Sequence, residues 1–243
     1  WNGSVDTNWN VANNWTPSGV PTAAQSVNIP NVTNDPIVGA GADAYACSLS
    51  IENGGVLTIN PGKNIIVTNA VTVAAGGTFN VQNSASLIQV NNVANSGIMN
   101  MQRTANIRKL DYVYWSSPVT FGSNFSSGAI SPLSPSNLIF KWTPTIGANV
   151  NGFGNWTQAI ENMAVGKGYI VRGPNTFTAT AAPYTATFIG TPNNGNITAP
   201  IQRGAYNGVN YNTFVSTTPG TKDDDNWNLI GNPYPSAIKA IDF

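Results

Sequence analysis

Between residues 49 and 102 the apolar positions recur in a pattern that neither a helix nor an isolated hairpin explains. Asn53-Gly54-Gly55-Val56-Leu57-Thr58-Ile59-Asn60 is answered 22 residues later by Ala75-Gly76-Gly77-Thr78-Phe79-Asn80-Val81-Gln82. The same offset carries Leu49 and Ile51 to Val71 and Val73, and Ile65 to Leu87. A third copy, Gly97-Ile98-Met99-Asn100-Met101-Gln102, follows at an offset of 20. Side chains alternate along a strand, so Leu57 with Ile59, Phe79 with Val81 and Met99 with Met101 share one face. Thr58, Asn80 and Asn100 take the other. Stacking such coils about 4.8 Å apart buries one continuous apolar column and pairs each strand with the coils above and below. The Gly pair before each strand suits a tight corner. The pattern predicts a short β-solenoid of about 22 residues per coil. Evenly spaced hairpins in a sandwich are the alternative, but a sandwich has no reason to preserve both the Gly pair and the register.

After Gln102 the repeat stops and aromatic residues become denser. Strands are predicted over residues 111–115, 138–142, 168–172, 184–189 and 226–230, separated by Pro- and Gly-rich turns, with no convincing helical period. The expected fold is all-β, with a capped β-solenoid over residues 1–105 and a β-sandwich-like module over 106–243. Trp1, Trp9 and Trp15 are expected to plug the open end of the first coil, and Trp227 to lie in the second core. Gly231-Asn232-Pro233-Tyr234-Pro235 reads as a stiff turn packed on that module, with the Tyr234 ring buried and its hydroxyl at a polar edge.

Composition narrows the chemistry. Ten basic residues balance ten acidic ones, and 8% of the chain is charged, against roughly 25% in ordinary soluble domains. That balance argues against nucleic-acid binding, and no apolar run approaches the roughly 20 residues of a membrane span. Thirty-five Asn residues supply the polar surface instead. The single cysteine, Cys47, cannot form a disulfide within the chain and reads as a small buried side chain. No charged-then-apolar signal segment opens the chain, so it reads as a mature fragment.

The sequence has no histidine, which removes Ser-His-Asp and Cys-His catalysis. A carboxylate pair could still act, but the acids stand mostly alone between turn residues. No catalytic residue and no cofactor is assigned, apart from a calcium ion. Asp223-Asp224-Asp225 is the one dense charge cluster and the candidate calcium site; it lacks the spaced Asp-x-Asp-x-Asp-Gly pattern, and a solvated turn is the preferred reading. Trp142 and Trp156 flank a Gly/Asn-rich loop and are the best candidates for rings that stack on a glycan, although core packing is favoured for both. A flat ice-binding array would need a regular Thr-x-Thr repeat, which is missing.

Trp1-Asn2-Gly3, Trp9, Asn14-Trp15, Gly19-Val20-Pro21-Thr22 and Val27-Asn28-Ile29-Pro30 resemble the cap that begins many β-helical surface proteins of the Bacteroidota. Further on come Tyr114-Trp115-Ser116-Ser117-Pro118-Val119, Gly166-Lys167-Gly168-Tyr169-Ile170-Val171-Arg172 and residues 188–195. Last is Trp227-Asn228-Leu229-Ile230-Gly231-Asn232-Pro233-Tyr234-Pro235-Ser236-Ala237-Ile238. In this order they resemble large adhesin-like proteins that the phylum secretes by the type IX route. The resemblance implies an extracellular or outer-surface location and partners among other segments of the same protein or surface glycans. It supplies no catalytic residue. The expected function is therefore a non-catalytic structural or adhesive stalk, with a carbohydrate-binding module or a polysaccharide-active β-helix enzyme as alternatives.

Overall fold

The computed structural model describes residues 1–120, 130–147, 153–204, 227–239 and 241. Three coils, each of three short strands, build the first half. The first coil holds β1 (Val27–Ile29), β2 (Ile37–Val38) and β3 (Ala44–Ala46). The second holds β4 (Leu49–Ile51), β5 (Val56–Ile59) and β6 (Asn64–Val67), and the third β7 (Val71–Val73), β8 (Thr78–Val81) and β9 (Ser86–Gln89). Equivalent strands pair in parallel, giving sheets β1-β4-β7, β2-β5-β8 and β3-β6-β9. Leu49 lies beside Val71, Leu57 beside Phe79 and Ile65 beside Leu87. This is the register of the 22-residue repeat: the chain is nearly all β, and its first half is a β-solenoid.

The alternation of the sequence is the alternation of the structure. Leu57, Ile59, Phe79, Val81, Met99 and Met101 are all buried in one column. Outside it, Asn80 Nδ2 lies 3.5 Å from Thr58 Oγ1 and Asn100 Nδ2 donates to Asn80 Oδ1 at 3.1 Å, so the polar face is a ladder. The corners need glycine. Gly76 (φ +83°) sits so close over the coil below that a Cβ would come within 2.1 Å of Asn53 Oδ1, and at Gly97 (φ +83°) it would lie 1.9 Å from the Val73 carbonyl oxygen. Such φ values place L-residues in the left-handed region, which costs about 1–2 kcal/mol before any clash.

Both ends of the column are closed. Trp1, Trp9 and Trp15 are buried and meet edge to face, Trp15 standing 4.9 Å from Trp1 and 4.7 Å from Trp9 between ring centroids. The Trp1 indole donates to Asn34 O at 2.7 Å and the Trp15 indole to Trp9 O at 2.9 Å. The free edge of β2 is paired by residues 7–9, through Ile37 N to Thr7 O and Trp9 N to Ile37 O. At the other end Ser96 bridges β7, and Leu87 N of β9 donates to Pro235 O.

The column does not stop at a linker. β10 (Met99–Ile107) pairs in parallel with β8 through its first residues and antiparallel, along its whole length, with β16 (Ala182–Pro192). The division at residue 105 falls inside β10. β12 (Val119–Thr120) extends this sheet on the far side of β16. A second, antiparallel sheet contains β11 (Tyr112–Trp115), β15 (Tyr169–Arg172), β13 (Ile139–Gly147) and β14 (Phe153–Gln158), in that order. Ile139, Tyr169 and Val171 on its inner face are buried, and Trp115 meets Phe188 of β16 edge to face at 5.9 Å.

Three expectations need correction. Residues 227–230 form no strand; only Ile230 makes an isolated antiparallel bridge, to Lys167. Trp227 is consequently exposed rather than core: Leu229, not Trp227, packs onto Gly168. Cys47 is half-buried rather than buried. Ala44 and Ala46 fill the inward positions of β3, so the alternation leaves Cys47 at the corner, where Asn69 Nδ2 approaches its Sγ at 3.3 Å.

Candidate functional site

The outward face of the four-stranded sheet is where exposed aromatic side chains collect. Because the inward positions of β11, β15 and β13 are Val113, Trp115, Tyr169, Val171 and Ile139, the period of two turns Tyr112, Tyr114, Ile170, Arg172, Phe140 and Trp142 outward. Register aligns them in rows. Tyr114 lies opposite Ile170, Ile170 opposite Phe140, and Phe140 opposite Gln158; Tyr112 lies opposite Arg172 and Trp142 opposite Trp156. Tyr112 and Phe140 have ring centroids 6.2 Å apart.

Trp142 and Trp156, the two rings singled out as glycan candidates, are brought together as a cross-strand pair, centroids 5.3 Å apart at 76°. Trp142 is half-buried and Trp156 exposed. Two contacts fix the Trp142 ring: its indole donates to Trp227 O at 2.7 Å, and it lies on Gly154, where a Cβ would come within 2.3 Å of it. Tyr112 and Tyr114 were not singled out from sequence. Every position from Tyr112 to Trp115 is apolar or aromatic, so alternation alone does not say which pair faces outward.

On the opposite face Lys141 Nζ pairs with Glu161 Oε1 at 2.7 Å. Burial works to raise the Glu161 carboxyl pKa, but the hydrogen bond and charge of Lys141 and two backbone N–H groups outweigh it and hold the group below the ordinary carboxylate range. Burial, and then repulsion from Lys141, pushes the Lys167 ammonium down. Asp223, Asp224 and Asp225, the calcium candidates, lie outside the described residues. Among the described residues no three acidic, cysteine or histidine side chains gather to hold a metal, and no helix is long and apolar enough to cross a membrane.

The Tyr234 turn behaves as a clasp. Pro233 and Pro235 are buried, Tyr234 is half-buried, and its hydroxyl donates to Gly195 O at 2.6 Å. Asn193 Nδ2 donates to Pro233 O and Ser116 Oγ to Asn232 O. The clasp reaches past the second sheet to the last solenoid coil, a contact the sequence did not suggest.

Fold and site together define a capped three-coil β-solenoid joined through one shared sheet to an antiparallel sheet with an aromatic outer face. Over residues 1–243 the chain matches the model of a domain of unknown function, DUF8693, and it belongs to that family. Comparison with curated proteins gave no match, and comparison with solved structures gave none.

Proposed function

We propose that this chain is a non-catalytic segment of a bacterial extracellular surface protein, serving as a stiff stalk that also carries an adhesive face. The observation that carries the reading is the joint. β10 belongs at once to the solenoid column and to the β16 sheet, and the Tyr234 clasp ties the same two parts a second time, so the halves are braced against bending. A binding surface held at a distance needs such bracing; an enzyme needs a reactive constellation, and a chain with no histidine starts without the usual proton carrier near neutral pH. Low charge and abundant Asn support an extracellular location, as does the resemblance to type IX-exported surface proteins of the Bacteroidota.

Proteolysis of intact cells producing the full-length parent protein tests the location. Peptides of this chain are expected in the released fraction, and their release only after lysis would overturn the reading. Reducing-end release from a panel of polysaccharides tests the non-catalytic part, and turnover by the purified chain would sink it.

A further inference from the structure

We propose that the outward face of the four-stranded sheet binds a neutral polysaccharide, with Tyr112, Tyr114, Trp142 and Trp156 as the rings on which successive sugars stack. The proposal rests on the adhesive part of the reading above and gives that face its ligand class.

The first argument is exposure that packing does not require. Tyr114 is 63%, Tyr112 42% and Trp156 36% exposed, while Ile170, opposite Tyr114 on the neighbouring strand, is only 9% exposed. The floor of the face is therefore packed and its rings stand on top. Surface of this kind, clustered on one sheet rather than scattered, marks a binding site.

The second argument is rigidity. All four rings sit on paired strands, and Trp142 is further pinned by the Trp227 carbonyl and by Gly154. Rings already held in place lose little conformational entropy on binding. The third is chemistry. The exposed groups are aromatic rather than aliphatic, and Tyr and Trp each join a flat apolar body to a polar tip. A pyranose has the matching form: a C–H face that stacks on a ring and a rim of hydroxyls that hydrogen-bonds at its edge. Gln158 stands exposed at that edge.

Charge then selects among ligands. Arg172 is the one ionic side chain among the described outward positions of the four strands, and its Nη2 already donates to Asn175 Oδ1 at 2.7 Å. A polyanion needs several cations along its path; this face offers no such row. Nucleic acid and anionic polysaccharides are therefore disfavoured on the same face that suits uncharged sugars.

Native affinity electrophoresis of the whole chain tests this, using mixed-linkage β-glucan, xyloglucan and galactomannan as neutral probes and alginate and heparin as polyanions. At least one neutral probe should retard the chain. Tyr114→Ala and Trp156→Ala should each weaken that binding at least tenfold, with far-UV circular dichroism unchanged. Tyr45→Ala, at an exposed ring on the solenoid's side, should leave it intact. Retardation by none of the neutral probes, retardation by the polyanions alone, or binding that survives both substitutions would overturn the proposal. So would a sedimentation mass that halves in Tyr114→Ala, because the face would then be an interface between two copies. Surface proteolysis reads the location independently, so either result can fail without the other.

Discussion

At the scale of single residues, stability concentrates in a few side chains of two kinds. Phe79 is fully buried midway along the column, between Leu57 and Met99. Phe79→Ala should cost about 3–5 kcal/mol, as for other buried aromatics, and thermal unfolding measures it; an unchanged melting temperature would contradict the packing. The second kind is asparagine. Asn14 is fully buried, its Oδ1 accepting from the backbone N–H groups of Val5 and Asp6 and its Nδ2 donating to Asp6 Oδ1 and Asn8 O. Asn14→Ala strands those partners and should cost about 1–3 kcal/mol. Asn14→Asp should fare no better at neutral pH, because a second carboxylate would face Asp6. Composition marks asparagine as a turn former and a solvating group; nothing in the residue type tells Asn14 from its exposed neighbour Asn13, because burial depends on the segment from Asn2 to Asn8 that wraps and hydrogen-bonds around it.

At the scale of elements, corners and pairs make separate predictions. Gly97→Ala must bear both left-handed strain, about 1–2 kcal/mol, and a clash with backbone that has no easy retreat, about 1–3 kcal/mol more. Gly62 has φ +74° but open space around it, so Gly62→Ala should show the strain alone. If denaturant unfolding ranked the two equally, stacking of the coils at Gly97 would be looser than it is here. The Lys141–Glu161 pair carries a pH dependence. Glu161 is held below its unfolded value, so its contribution is complete above the ordinary carboxylate pKa of about 4 and is lost as pH falls through the lower folded value. Glu161→Gln should flatten the acid limb of the stability curve, while neutral and alkaline pH show no further change from this group. The repeat made the second and third coils and the start of β10 legible, but not the first coil, β1 to β3, whose sequence lacks the Gly pair and in part resembles a cap. The strand expected at 226–230 was not legible, because Trp227-Asn228-Leu229-Ile230 has strand-like residues but pairs at one rung only.

At the scale of the whole molecule, the ends of the solenoid matter as much as its length. An open parallel sheet offers unpaired N–H and C=O groups that template association. Here Trp1, Trp9 and Trp15 close one end, and β10, Ser96 and the Pro235 clasp cover the other. A chain ending at Gly231 should therefore self-associate through the bared edge of β9, seen as a concentration-dependent mass in sedimentation; a monomer at all concentrations would mean that the clasp is not needed there. Tyr234→Ala should give a milder version, a lower melting temperature without full loss of the clasp. The sequence by itself determined the coil: a repeat whose period and alternation coincide leaves one register in which Leu57, Ile59, Phe79, Val81, Met99 and Met101 all face inward, since a slip of one residue would turn the whole set outward. Tertiary structure alone decided the rest. Which of two apolar faces in Tyr112-Val113-Tyr114-Trp115 is buried depends on Phe188, 73 residues beyond Trp115. Where β10 ends its solenoid pairing and takes β16 as partner depends on a strand that begins at Ala182. Both are contacts between distant parts of the chain, and no local pattern encodes a neighbour that only folding brings near.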